Sequence, residues 1–125
     1  MDRSEIANAP LILIVEDEVL VAMEMEMLVR AFGYSVLGPA PSVEAANELL
    51  DECEPHAALL DVNLRGDTVG AIARRLHAGN VPYALVTGYA RHTLEDPALA
   101  DVPRLSKPVN EAELGQMLRR LLDGG

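Results

Sequence analysis

Apolar residues in this chain follow two alternating patterns, and the alternation restricts the fold more than any single motif does. Leu11-Ile12-Leu13-Ile14-Val15 is an unbroken aliphatic run after Pro10, the pattern of a strand buried on both faces. Val19–Phe32 follows with Leu20, Met23, Met27, Leu28 and Ala31 at helical spacing, and Gly33 stands just past its end as a stop. On this register Met23 and Met27 fill core space. Tyr34–Leu37 reads as a short strand closed by Gly38-Pro39, and Ser42 as the N-cap of a helix to Glu52 with Val43, Ala46, Leu49 and Leu50 inward.

The same alternation continues to the C-terminus. Ala57–Leu60 is a third strand ending on Asp61, and Val69–Ala78 a helix closed by Gly79-Asn80. The fourth strand ends at Thr87 and starts at Tyr83, because Pro82 disfavours an earlier start. A helix around Thr93–Ala100, a fifth strand over Val102–Ser106 and a last helix opened by Pro108 and the cap Asn110 complete the series. Leu114, Met117, Leu118 and Leu121 share one face of that last helix. Strict alternation implies an α/β fold with a parallel sheet, since each parallel pair needs a crossover of about a dozen residues. At 125 residues this is one domain, expected over residues 10–123 between short tails at 1–9 and 124–125.

Composition removes several function classes. Ten Lys and Arg against twenty Asp and Glu leave a net charge of −10 with no basic cluster, which disfavours nucleic acid and anionic membranes as partners. The longest aliphatic run is far short of the roughly 20 residues of a membrane span, and the first nine residues lack an apolar export core. A cytoplasmic protein is expected. Cys53, the single cysteine, has no internal partner for a disulfide and reads as a small apolar side chain. His56, His77 and His92 share no metal-ligand spacing and read as surface residues, as do the pairs Arg74-Arg75 and Arg119-Arg120.

Ligands of open parallel sheets bind outside the carboxyl ends of the strands. There the chain places Glu16-Asp17-Glu18 after strand one, Asp61 after strand three, Thr87-Gly88 after strand four and Ser106-Lys107-Pro108 after strand five. Phosphoryl transfer to a carboxylate gives each residue a task. Asp61 would attack phosphorus. Asp17 and Asp61, with Glu16 acting through a water, would supply oxygens to an octahedral Mg²⁺ that offsets the repulsion between anions. Lys107 would pair with Asp61 and then with a phosphoryl oxygen, and Thr87 would donate its hydroxyl to another. Read singly, Glu16-Asp17-Glu18 is also a set of acids at the positive end of the first helix.

The set Glu16-Asp17, Asp61, Thr87 and Lys107-Pro108, in this order and on these strand ends, resembles the receiver domain of bacterial two-component response regulators. The resemblance covers about residues 10–123. It implies a CheY-like, flavodoxin-like doubly wound sheet in the order 2-1-3-4-5, with phosphate received from a sensor histidine kinase or a histidine phosphotransfer protein. It further implies that the main-chain carbonyl of Asn63 is a ligand to Mg²⁺ and that the Lys107–Pro108 peptide bond is cis. Output is expected through the face of the fourth helix, fifth strand and last helix, to a downstream protein partner, from a monomer or weak dimer. Two departures stand out: Arg104 replaces the aromatic usual three residues before the lysine, and Leu85-Val86-Thr87-Gly88-Tyr89 partly matches the Phe-Ala-Thr-Gly receivers frequent in alphaproteobacteria. Tyr89 is accordingly expected to share the switch role with Thr87. The expected protein is a single-domain regulator; the rival reading is a Mg²⁺-dependent phosphohydrolase with an aspartyl nucleophile, which would need an acid where Asn63 stands.

Overall fold

The computed structural model describes residues 9–64, 69–88 and 97–124. Its elements are β1 (Leu11–Val15), α1 (Val19–Ala31), β2 (Ser35–Ala40), α2 (Val43–Glu52), β3 (Ala57–Asp61), α3 (Gly70–Ala78), β4 (Tyr83–Thr87), α4 (Pro97–Ala100), β5 (Arg104–Ser106) and α5 (Glu111–Leu122). The five strands pair in parallel in the order β2-β1-β3-β4-β5, as the alternation and the resemblance require.

Period-two alternation along the strands divides the core into two layers. Leu13, Val15, Ala58, Leu60 and Leu85 face Ala46 of α2, Ile72 and Leu76 of α3, and Leu99 of α4. Ile12, Ile14, Ala57, Leu59, Ala84 and Val86 face Met25 and Val29 of α1 and Leu114 and Leu118 of α5. Burial on both sides explains why β1 and β3 are uninterrupted aliphatic runs. Ser42 and Asn110 cap α2 and α5 as expected, each accepting a backbone N–H three residues on.

The structure corrects the register of α1. Ala22, Met25 and Val29 are its buried residues, whereas Leu20, Met23 and Met27 are 80%, 55% and 69% exposed. Met23 and Met27 therefore fill no core space; Met25 does. Nearly every residue from Val19 to Met23 is apolar, so two helical stripes satisfy the same spacing, and only packing against the sheet and α5 selects one. Ala31 is likewise exposed and Leu28 half-buried. Cys53, at the C-terminus of α2, is exposed rather than packed as a small apolar side chain.

β2 also runs further than Leu37. Leu13 pairs with Leu37 but Val15 pairs with Ala40, so a bulge takes up the extra residue around Gly38-Pro39. Gly38 has φ +97°, and a Cβ there would stand 2.6 Å from Ala40 N and 3.0 Å from Ile14 O. Only glycine fits both the torsion and the close approach. Gly38→Ala is expected to lower stability by about 2 kcal/mol or more, read as a lower denaturant midpoint at unchanged slope. β5 is shorter than expected, beginning at Arg104.

Candidate functional site

The strand ends deliver the polar residues to one edge. The bulge in β2 matters because Ala40 O accepts the Glu16 N–H at 2.9 Å, which fixes the backbone of the residue that follows β1. Asp61 is the last residue of β3 and Thr87 the last of β4. Lys107 follows β5, and its N–H donates to Thr87 O at 2.8 Å. The Lys107–Pro108 bond is cis, as the resemblance implied, and Gly38–Pro39 is cis as well. Glu16, Asp61 and Thr87 are the buried polar or charged side chains among the described residues, at 2%, 1% and 2% exposure. Their burial is the opposite of what a solvated acid or hydroxyl would choose.

One ammonium serves this cluster. Lys107 Nζ lies 3.0 Å from Glu16 Oε1, 3.3 Å from Glu18 Oε1 and 3.5 Å from Asp61 Oδ1. Glu16 Oε2 accepts the Glu18 N–H and Asp61 Oδ1 accepts the Asn63 N–H, both at 3.0 Å. Of the other oxygens, Glu16 Oε1 is buried with the Lys107 ammonium as its ion-pair partner, and Asp61 Oδ2 is buried without a hydrogen bond. Burial pushes the Glu16 carboxyl up to about 7, with Asp61 adding to the rise and the Glu18 N–H and Lys107 opposing it. Burial pulls the Lys107 amine down, but Glu16, Asp61 and Glu18 together outweigh it and raise the amine above its ordinary value.

Glu16, Asp17 and Asp61 each present a carboxylate oxygen within 4.8 Å of the other two. All-oxygen donors, two of them buried and one of those lacking any partner at Asp61 Oδ2, fit a hard divalent cation. The N-cap Glu18 makes no side-chain cap bond to α1; its carboxylate pairs with Lys107 instead. Asn63 reaches the site through its N–H. Tyr89 and His92 lie outside the described residues. Arg104 is half-buried, and Nη2 makes long contacts to the carbonyls of Leu99 and Ala100 at 3.5 and 3.4 Å, tying β5 to the end of α4. His56 is exposed, as expected, yet Nδ1 accepts the Leu11 N–H at 2.9 Å. Arg75, also exposed, pairs with Asp51 at 2.8 Å. The feature that sequence reading missed is the hold of Glu18 on Lys107; its only signal was a third consecutive acid.

No family model matches the chain. The chain is 34% identical over 113 residues to the positive alginate biosynthesis regulatory protein of Pseudomonas aeruginosa. It is 30% identical over 114 residues to the phyllosphere-induced regulator PhyR of Methylorubrum extorquens. These alignments cover 87% and 89% of this chain but 46% and 43% of the relatives, so the chain spans about half the length of the curated relatives it matches. A CheY-like response regulator receiver domain from Methanospirillum hungatei superposes with a TM-score of 0.81 at 25% identity, over 94% of this chain and 96% of that one. This chain is a response regulator receiver domain. A further receiver, from the sensor histidine kinase PA1611 of Pseudomonas aeruginosa, shares the fold at a TM-score of 0.80 and 24% identity, over 92% of this chain and 98% of that one, and carries a magnesium ion in its active-site cleft. The receiver reading accounts for the parallel sheet, its strand order and the acids at its carboxyl edge together. No helix among the described residues is long and apolar enough to cross a membrane.

Proposed function

We propose that this receiver accepts a phosphoryl group on Asp61 from a phosphohistidine of a sensor kinase or phosphotransfer protein, with Mg²⁺ held by Asp17, Asp61, the Asn63 carbonyl and, through a water, Glu16. The observation that carries this reading is the gathering of the buried carboxyls Glu16 and Asp61 around the Lys107 ammonium, with the buried Thr87 ending β4 at the same sheet edge. Asp61 forms an O–P bond as the N–P bond of the phosphohistidine breaks, and the imidazole leaves with the electron pair. Bound magnesium supplies positive charge against the repulsion between the carboxylate and the incoming phosphoryl group. Lys107 then offers its ammonium, and Thr87 its hydroxyl, to phosphoryl oxygens, so the domain assists its own phosphorylation and hydrolysis. Tyr89 and Arg104 are the residues through which we place the response: the first two positions beyond Thr87 in sequence, the second by its link between β5 and α4. The exchange is placed in the cytoplasm.

The phosphohydrolase reading needs a proton carrier at Asn63, whose amide is a poor one. Incubation with acetyl phosphate and Mg²⁺ separates the two: one base-labile acyl phosphate per chain supports the receiver function, and many turnovers of released phosphate overturn it.

The exposed stripe of α1 offers a docking face to the phosphodonor. Val19, Leu20, Met23 and Met27 are 71%, 80%, 55% and 69% exposed and begin directly beside Glu18, next to the cleft. Large apolar side chains clustered in water mark a docking surface. Replacing Leu20 and Met23 by Glu is expected to slow phosphotransfer from the cognate kinase by about tenfold or more while leaving labelling by acetyl phosphate unchanged, as measured by time courses with both donors.

A further inference from the structure

Lys107 Nζ is shared among three acids, at 3.0 Å from Glu16 Oε1, 3.3 Å from Glu18 Oε1 and 3.5 Å from Asp61 Oδ1. Glu16 and Asp61 are buried, whereas Glu18 stands at the rim and accepts a hydrogen bond from the amine. Glu18 is held there by its own main chain, whose N–H donates to Glu16 Oε2. Its side chain is 58% exposed, whereas the lysine side chain is 15% exposed and moves only by exchanging one acid for another.

Resting on the phosphoacceptor reading above, we propose that Glu18 is a positioning residue that tethers the Lys107 ammonium at the rim of the cleft and opposes its turn towards a phosphoryl oxygen. Glu16 and Asp61 would hold a bound cation, whose charge would weaken the inward pull of those acids and leave Glu18 as the stronger partner. Addition of phosphate restores negative charge inside, and the lysine leaves Glu18 to meet it. The tether therefore sets part of the free-energy difference between the unmodified and phosphorylated arrangements, and salt, which screens an exposed pair, relaxes it.

Beryllofluoride with saturating Mg²⁺ mimics the phosphoryl group without turnover, and amide-spectrum titrations give its affinity. Glu18→Gln is expected to bind beryllofluoride about two- to fivefold tighter than the unaltered chain, the range an exposed ion pair supports. In a Lys107→Ala background, or in Lys107→Gln should the first fold poorly, the same Glu18→Gln change is expected to have no effect. Equal or weaker binding in Glu18→Gln overturns the tether. A gain that persists without the lysine also overturns it, because the effect is then that of one charge removed near an anion. An unaltered chain that binds no beryllofluoride overturns the phosphoacceptor reading and the tether together, whereas normal binding with no response to Glu18→Gln overturns the tether alone.

Discussion

Asp61→Asn is expected to abolish covalent labelling by acetyl phosphate altogether while making the metal-free domain more stable. Loss of labelling follows from chemistry: an amide oxygen is no nucleophile towards phosphorus, and Thr87, Asp17 and Glu16 offer no substitute placed at the end of β3. The gain in stability follows from burial. Asp61 is 1% exposed and its Oδ2 lacks a hydrogen bond, so the native state carries an under-solvated carboxylate beside Glu16 with one shared ammonium. Asparagine keeps the acceptor for the Asn63 N–H and removes the charge. A rise of about 1–3 kcal/mol in unfolding free energy in chelator is expected, checked by denaturant titration. Saturating Mg²⁺ is expected to narrow or reverse that difference, since the cation stabilises the native state of the unaltered chain and has one ligand fewer in the variant. A variant that still takes up label, or that is less stable in chelator, overturns this account of the cleft.

Glu16 gives the second large effect, and its sign is opposite to that of a salt-bridged surface acid. Its carboxyl sits at about 7 in the folded domain against 4.5 ordinarily, chiefly because it is buried. Between those values the folded chain holds a proton that the unfolded chain has released, so metal-free stability falls as pH rises through this window. The loss is on the order of 3 kcal/mol when complete. Glu16→Gln cannot ionise and lacks that component. The difference in unfolding free energy between the unaltered chain and Glu16→Gln is therefore expected to shift against the unaltered chain from pH 4.5 to 8 in chelator, and a flat difference contradicts it. Mg²⁺ favours the ionised carboxylate, so its affinity is expected to climb over the same window with release of a proton. Calorimetry in buffers of different ionisation enthalpy measures that proton.

Such a cleft is costly by design of its chemistry. Acids that would be hydrated on any other surface are held dry at the ends of central strands, a cost in stability that the proposed cation and phosphoryl site would explain. The exposed apolar stripe on α1 follows the same logic, since Leu20 and Met23 are left in water beside the residues that a phosphodonor must reach.

What could be read in advance divides along the range of the interactions involved. The succession of strands and helices, the two caps and the convergence of Glu16, Asp17, Asp61, Thr87 and Lys107 on one edge were legible because aliphatic runs, Ser42, Asn110 and the residue after each run are local signals, and a parallel sheet brings every strand end to the same side; the strand order came only from the resemblance to receiver domains. The inward face of α1 was not. Leu20-Met23-Met27 and Ala22-Met25-Val29 are both sound helical stripes, and the acids Glu24 and Glu26 flank Met25, the residue that is in fact buried. Nor was the passage of β2 through Gly38-Pro39, because a glycine and a proline at a join look like an end until the pairing of Val15 with Ala40 carries the strand past them.

By itself, the order of residues along the chain determined the alternation of strand and helix, and with it which side chains reach the carboxyl edge of the sheet, since both depend on periodicity and on neighbours a few positions apart. Tertiary structure alone decided which stripe of α1 faces the sheet, and that Lys107 is shared among Glu16, Glu18 and Asp61. Those choices are set by packing and by electrostatic competition between groups distant in sequence, such as the 89 positions that separate Glu18 from Lys107, and no local pattern encodes the outcome of such a competition.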